Sequence, residues 1–114
     1  MVELERKIYE SVPGKQVTMA HVISRPDERV IEKLGFKGKN FSAIGIMTVT
    51  PGEAAIIAVD KAKKASEIEI GFVDRFSGSV VILGDVAAVK NSIQAANTFL
   101  QSSLGFSVAK ITVT

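Results

Sequence analysis

The sequence predicts an α+β domain, a ferredoxin-like β-α-β-β-α-β unit from residue 42 onward with one strand and one short helix prefixed to it. Three observations predict it: two segments with small or apolar residues three to four apart, a pair of β-rich runs joined by a short turn, and strand-like runs flanking each helical segment. At 114 residues with a 46% apolar composition, the chain has the size and content for one core.

The prefixed part comes first. Residues 17–23 are apolar or β-branched with little charge, which predicts a short strand buried on both faces or nearly so. Arg25-Pro26 ends it. Pro26 suits the first turn of a helix over about 27–34, Asp27 and Glu28 complement its positive N-terminus, and Lys33 followed by Gly35 supplies the stop. The polar stretch Lys37-Gly38-Lys39-Asn40 predicts the loop that separates this part from the rest.

The second part opens with a strand over 43–49. Thr50-Pro51-Gly52-Glu53 then has the spacing of a capping box with proline at the first helical position. Ala54, Ala58, Ala62 and Ala65 follow at helical spacing, a stripe of small side chains that permits close approach, and the helix should end near Ser66. Glu67, Glu69, Gly71 and Val73 alternate with Ile68, Ile70 and Phe72, giving a strand with one strongly apolar face and one mixed face. Asp74-Arg75-Phe76-Ser77-Gly78 holds the turn residues of a hairpin, and residues 80–83 return. Gly84-Asp85 caps a second helix, whose core stripe is Val86, Val89, Ile93, Ala96, Leu100 and Leu104 and whose stop is Gly105. Residues 106–114, rich in Val, Ile and Thr, predict a final strand.

Composition excludes several function classes. Fourteen basic residues stand against 12 acidic ones, and a net charge of +2 with interspersed signs is too mild for a nucleic-acid partner. One tyrosine and no tryptophan leave no aromatic platform for RNA bases. The chain has no cysteine, which removes disulfides, thiolate metal sites and cysteine nucleophiles, and fits a reducing compartment such as the cytoplasm. Its longest wholly apolar run, residues 54–59, is far short of the roughly 20 residues of a membrane helix, and the first residues lack a signal-peptide pattern, so no membrane role is expected.

Chemistry-bearing residues are sparse. His21, the one histidine, lies among apolar neighbours without companion ligands and reads as a structural histidine. Gly14-Lys15 with Thr18 lacks the upstream glycine of a phosphate loop. Asp74 and Asp85 flank the hairpin as caps or solvated charges, not as a catalytic pair. Phe76 is more informative: a large apolar residue at a turn either folds back on its own core or meets copies of itself around a symmetry axis. Lys61, Lys63 and Lys64 complement the C-terminal dipole of the alanine helix.

The runs Ala43-Ile44-Gly45-Ile46-Met47-Thr48-Val49-Thr50-Pro51-Gly52-Glu53, Ile70-Gly71-Phe72-Val73-Asp74-Arg75-Phe76-Ser77-Gly78 and Gly84-Asp85-Val86-Ala87-Ala88-Val89 resemble a bacterial microcompartment (BMC) shell protein. Ala20-His21-Val22-Ile23-Ser24-Arg25-Pro26 resembles a segment that ordinary shell proteins carry near the C-terminus. Here it lies near the N-terminus, so the chain resembles the circularly permuted shell proteins of the EutS/PduU type, including the entry Pro13-Gly14-Lys15-Gln16-Val17-Thr18.

That resemblance implies a structural, non-enzymatic protein: a homohexameric tile that meets other shell proteins at its edges and encloses enzymes of ethanolamine, propanediol or choline utilisation. It implies that Asp74, Arg75, Phe76, Ser77 and Gly78 form the loop around a central pore, and that Arg25 and either Lys63 or Lys64 lie at the hexamer edge. It further implies a domain over 15–114 and an extension over 1–14, in which residues 4–12 would form a β-barrel strand capping the pore. Some permuted relatives hold an iron–sulfur cluster through cysteine; this chain has none, so neither cofactor nor metal is expected. The competing reading is an oligomeric small-ligand sensor, which rests on analogy of fold.

Overall fold

The computed structural model describes residues 14–36 and 41–114; the expected barrel strand over 4–12 and the loop at 37–40 lie outside them. The elements are β1 (Gln16–Ser24), α1 (Glu28–Lys33), β2 (Ala43–Thr50), α2 (Ala54–Ala65), β3 (Glu69–Asp74), β4 (Ser79–Gly84), α3 (Val86–Leu104) and β5 (Thr112–Val113). They build one five-stranded sheet in the order β3-β4-β2-β1-β5, antiparallel throughout except for the parallel pair of β1 and β5. In a plain ferredoxin-like sheet the last strand would lie beside β2. Here the prefixed β1 holds that place and pushes β5 to the edge.

Helices α2 and α3 cover one face. Val89, Ile93, Ala96 and Leu100 are fully buried against Met47, Val49, Val80 and Ile82, and each large side chain among them contributes about 1.5–3 kcal/mol by leaving water. Ala54, Ala55, Ala58 and Ala62 form the inner face of α2, and their small side chains let Ser92 Oγ donate to the Ala62 carbonyl at 2.7 Å in the buried helix-helix contact. On the other face α1 covers only part of the sheet: Ile31 packs with Ile44, Val81 and Leu83, flanked by Phe36 and Phe41 in an edge-to-face contact.

Four local expectations are corrected. The capping box before α2 does not form, because Thr50 is still paired with Gln16 in the sheet; the Thr50–Pro51 peptide is cis, and backbone bonds from Ala54 to Pro51 and from Ala55 to Gly52 start the helix instead. Pro26 precedes α1 rather than opening it, since Asp27 is the cap and accepts from the Arg29 N–H. β1 is not buried on both faces: Val17, Ala20 and Val22 point to the core, whereas a register shift between Val17 and Met19 turns Thr18 and Met19 outward. The final strand shrinks to Thr112–Val113 and one bridge at Ser107, because Val108 and Ile111 turn in to the helix-side core and Asn97 Nδ2 donates to the Ala109 carbonyl.

The C-terminal residues are clasped to β1 by side chains. His21 shares hydrogen bonds through Nδ1 with Thr112 Oγ1 at 2.6 Å and through Nε2 with Thr114 Oγ1 at 2.9 Å, and Ser24 Oγ donates to the Thr114 carbonyl. His21 thus has the structural role read from the sequence, with both ring nitrogens occupied.

Candidate assembly surfaces

The hairpin loop between β3 and β4 is built from its own backbone. The Asp74 carboxylate accepts from the Phe76 N–H at 2.9 Å and from the Ser77 N–H at 3.4 Å, and the Gly78 N–H donates to the Asp74 carbonyl at 2.8 Å. The Phe76 N–H, then the Ser77 hydroxyl and N–H, hold the Asp74 carboxyl below its ordinary value. Gly78 has φ 77, in the left-handed region that favours glycine, and its carbonyl accepts from the Val49 N–H. A Cβ there would run into the Val49 carbonyl, and a Cβ on Gly52 would run into the carbonyl of Arg75, so the turn at 51–53 is seated directly against the loop.

This loop presents Arg75, Phe76 and Ser77 to solvent. Phe76 is 85% exposed, with the Arg75 guanidinium 5.0 Å from its ring centroid, and Glu53 joins them around a shallow notch. Of the two sequence-based alternatives for Phe76, folding back on its own core is ruled out.

The remaining site residues lie at the other end of the strands. The register runs from Ser79, opposite both Asp74 and Thr48, to Gly84, opposite Ala43, which is opposite Ser24. Arg25 follows Ser24 directly. It has φ 52, its N–H donates to the Ser42 carbonyl at 2.8 Å, and its exposed side chain has no hydrogen bond or ion pair with any described residue. Lys63 and Lys64 are in the last turn of α2, which leads into the start of β3 at this same end. The two ends are about 26 Å apart, for the eight residues of β2 at the rise of a strand.

The two lysines differ. Lys63 Nζ donates to the Ile68 carbonyl at 2.6 Å and fastens the junction of α2 and β3. Lys64 pairs with Asp60 one turn earlier at 2.8 Å, with 69% of its side chain exposed. An exposed i,i+4 pair is worth only about 0.3–0.5 kcal/mol, which leaves the Lys64 ammonium available to another partner.

Sequence reasoning missed one surface. Ile70, Phe72 and Val73 on the edge strand β3, with Ile56 and Ile57 on α2, are 39–51% exposed. Apolar side chains at 70, 72 and 73 cannot all lie on one face of a strand, and that was the available signal. The register shift between Ile70 and Phe72 is what puts Phe72 opposite Val81 and the other two opposite Ile82 and Val80.

Comparison with known proteins agrees with this geometry. The sequence profile of the BMC domain matches residues 43–113. The shell protein CutR of Streptococcus intermedius is 49% identical over 110 residues, covering 96% of this chain and 93% of the relative. PduU of Salmonella typhimurium, also a microcompartment shell protein, is 48% identical over 110 residues, covering 96% and 94%. A solved structure described as a CutR flat hexamer superposes with a TM-score of 0.84 at 48% identity, covering 92% of this chain and 95% of that one. With a BMC domain at 43–113, a prefixed strand in the place of the domain's last strand, and close relatives along nearly the whole chain, this protein belongs to the circularly permuted bacterial microcompartment shell proteins.

Proposed function

We propose that the chain is a structural tile that closes into a six-membered ring, with residues 74–78 around the axis and Arg25 and Lys64 at the perimeter, where rings meet each other and other shell proteins. The observation that carries this reading is the separation within one sheet: the whole candidate pore loop stands at one end of the strands and every candidate edge residue at the other. Radial strands bring both sets to their stations at once. Phe76, so exposed on a single chain, would be covered where copies converge on it.

Assembly then follows from geometry and repetition. Each edge contact is weak, but a ring presents every contact six times, so tiling is steep in concentration. Lys63 maintains the fold of the edge and Lys64 supplies its contact. The tile carries out no catalysis and needs no cofactor; its work is to wall off enclosed enzymes. Residues 1–14 form the extension and 15–114 the shell domain, and deleting residues 1–11 should leave the ring whole while opening its axis. Light scattering across a range of concentrations tests the reading. Rings of six copies of the 12.2 kDa chain, about 73 kDa, that associate further at higher concentration support it, and a persistent monomer or dimer contradicts it.

A further inference from the structure

Asn97, on the inner side of α3, carries the one side-chain atom among the described residues that is buried without a hydrogen-bond partner. Its Nδ2 donates to the Ala109 carbonyl at 3.1 Å, while its Oδ1 meets no donor. The residue is 5% exposed, and a buried carbonyl oxygen left without a donor is costly enough that native proteins almost always supply one.

The surroundings show what kind of donor fits. The C-terminal segment is joined to β1 at two places. The Ser107 N–H donates to the Lys15 carbonyl and the Ser107 carbonyl accepts from the Val17 N–H; farther on, the Thr114 N–H donates to the Val22 carbonyl and the Thr114 carbonyl accepts from the Ser24 N–H. An unbroken strand turns the same edge to its neighbour at every second residue, yet Ser107 and Thr114 stand seven apart. Each partner therefore changes edge once between the two places: β1 at the register shift between Val17 and Met19, and the C-terminal segment after Ser107. The rungs are missing there, and the backbone N–H groups of Val108, Ala109, Lys110 and Ile111 have no partner among the described residues.

The orphaned acceptor and these donors are neighbours, because the carbonyl that Asn97 grips belongs to Ala109, whose own N–H is one of the unpartnered donors. A group between them must donate to the oxygen and accept from the N–H. Water does both, whereas an anion cannot donate and a metal cation cannot accept.

We propose that one ordered water is held between α3 and the C-terminal segment, donating to Asn97 Oδ1 and accepting from the Ala109 N–H. It closes a ring of hydrogen bonds through the Asn97 amide and the Ala109 backbone, and stands in for a rung that β1 does not supply. Val108 and Ile111, on either side of this point in the sequence, pack against the helix-side core, and Oδ1 itself is closed to bulk solvent. The water thus fastens the approach to β5 where the sheet ladder is interrupted.

A crystal structure of the unsubstituted protein, at a resolution that orders water, tests the site. It should show one water about 2.7–3.2 Å from both Asn97 Oδ1 and the Ala109 nitrogen. No water there, a water touching only one of the two atoms, or a direct bond from Oδ1 to a backbone N–H would overturn the proposal. The variant Asn97→Leu, similar in size but without a polar atom in its side chain, should lose that water and melt several degrees below the parent at equal concentration. A water that persists in Asn97→Leu, or a melting temperature at or above the parent's, would overturn the role of Asn97. Should the variant fail to fold, the structure of the unsubstituted protein decides alone.

Discussion

Replacing Arg25 by alanine and, separately, by glycine distinguishes the turn it sits in from the charge it carries. At φ 52 a non-glycine residue is held in the left-handed region at a cost of about 1–2 kcal/mol. Alanine keeps that cost, and the backbone bond to Ser42 survives, so Arg25→Ala should stay within about 0.5 kcal/mol of the parent, as is usual for an exposed position. Glycine removes the strain but gives back about 0.5–1 kcal/mol through the greater freedom of the unfolded chain. The glycine variant should therefore be roughly 0.5–1 kcal/mol more stable than the alanine one, a Tm about 2–5 °C higher for a domain of this size. Both should form rings and neither should tile. Thermal melts read the first quantity and negative-stain electron microscopy of concentrated protein the second. If Arg25→Gly tiled as readily as the parent, the guanidinium would not be an edge contact; if the two variants melted together, the account of the turn would be wrong.

Other predictions follow from the same geometry. Lys64→Ala should abolish tiling with a stability change below about 0.5 kcal/mol, whereas Lys63→Ala should cost about 1 kcal/mol or more by removing a charged donor from the Ile68 carbonyl, as measured by denaturant titration with electron microscopy. Asp74 titrates below its ordinary value of 3.8 in the folded chain, so its contribution to stability is complete above that pH and is lost as pH falls through the lower folded value. Asp74→Asn should accordingly melt below the parent at neutral pH, with the difference vanishing in strong acid. A difference that grew toward acid pH would contradict the assigned hydrogen bonds.

Much of the architecture was legible because local chemistry and tertiary packing agree. The α3 stripe, the Asp85 and Gly105 caps and the turn at 74–78 all stand where their residues require. Failures came where a neighbour decided. Thr50 has the chemistry of a helix cap, but pairing with Gln16 keeps it in the sheet. Residues 106–114 have strand propensity along their length, but Val108 and Ile111 are drawn into the helix-side core. Of the proposed assembly surfaces, the loop and Arg25 stand as short motifs in the sequence, whereas the proposal of Lys64 over Lys63 rests on the bond from Lys63 to the Ile68 carbonyl, which only the structure shows. The apolar flank of β3 was hidden because an edge strand is defined by what fails to pair with it, a property of the whole sheet and not of the segment.

Spin labels on the cysteine-free chain would test most directly the claim that the loop lies at the axis and α2 ends at the perimeter. In a six-fold ring the distance between neighbouring copies of a label equals its distance from the axis. In dilute, untiled rings, labels placed by Lys64→Cys should show a nearest-neighbour distance longer than those placed by Phe76→Cys by about 26 Å, the length of β2. Equal distances, or longer ones at position 76, would mean that the strands are not radial and that the loop does not surround the axis.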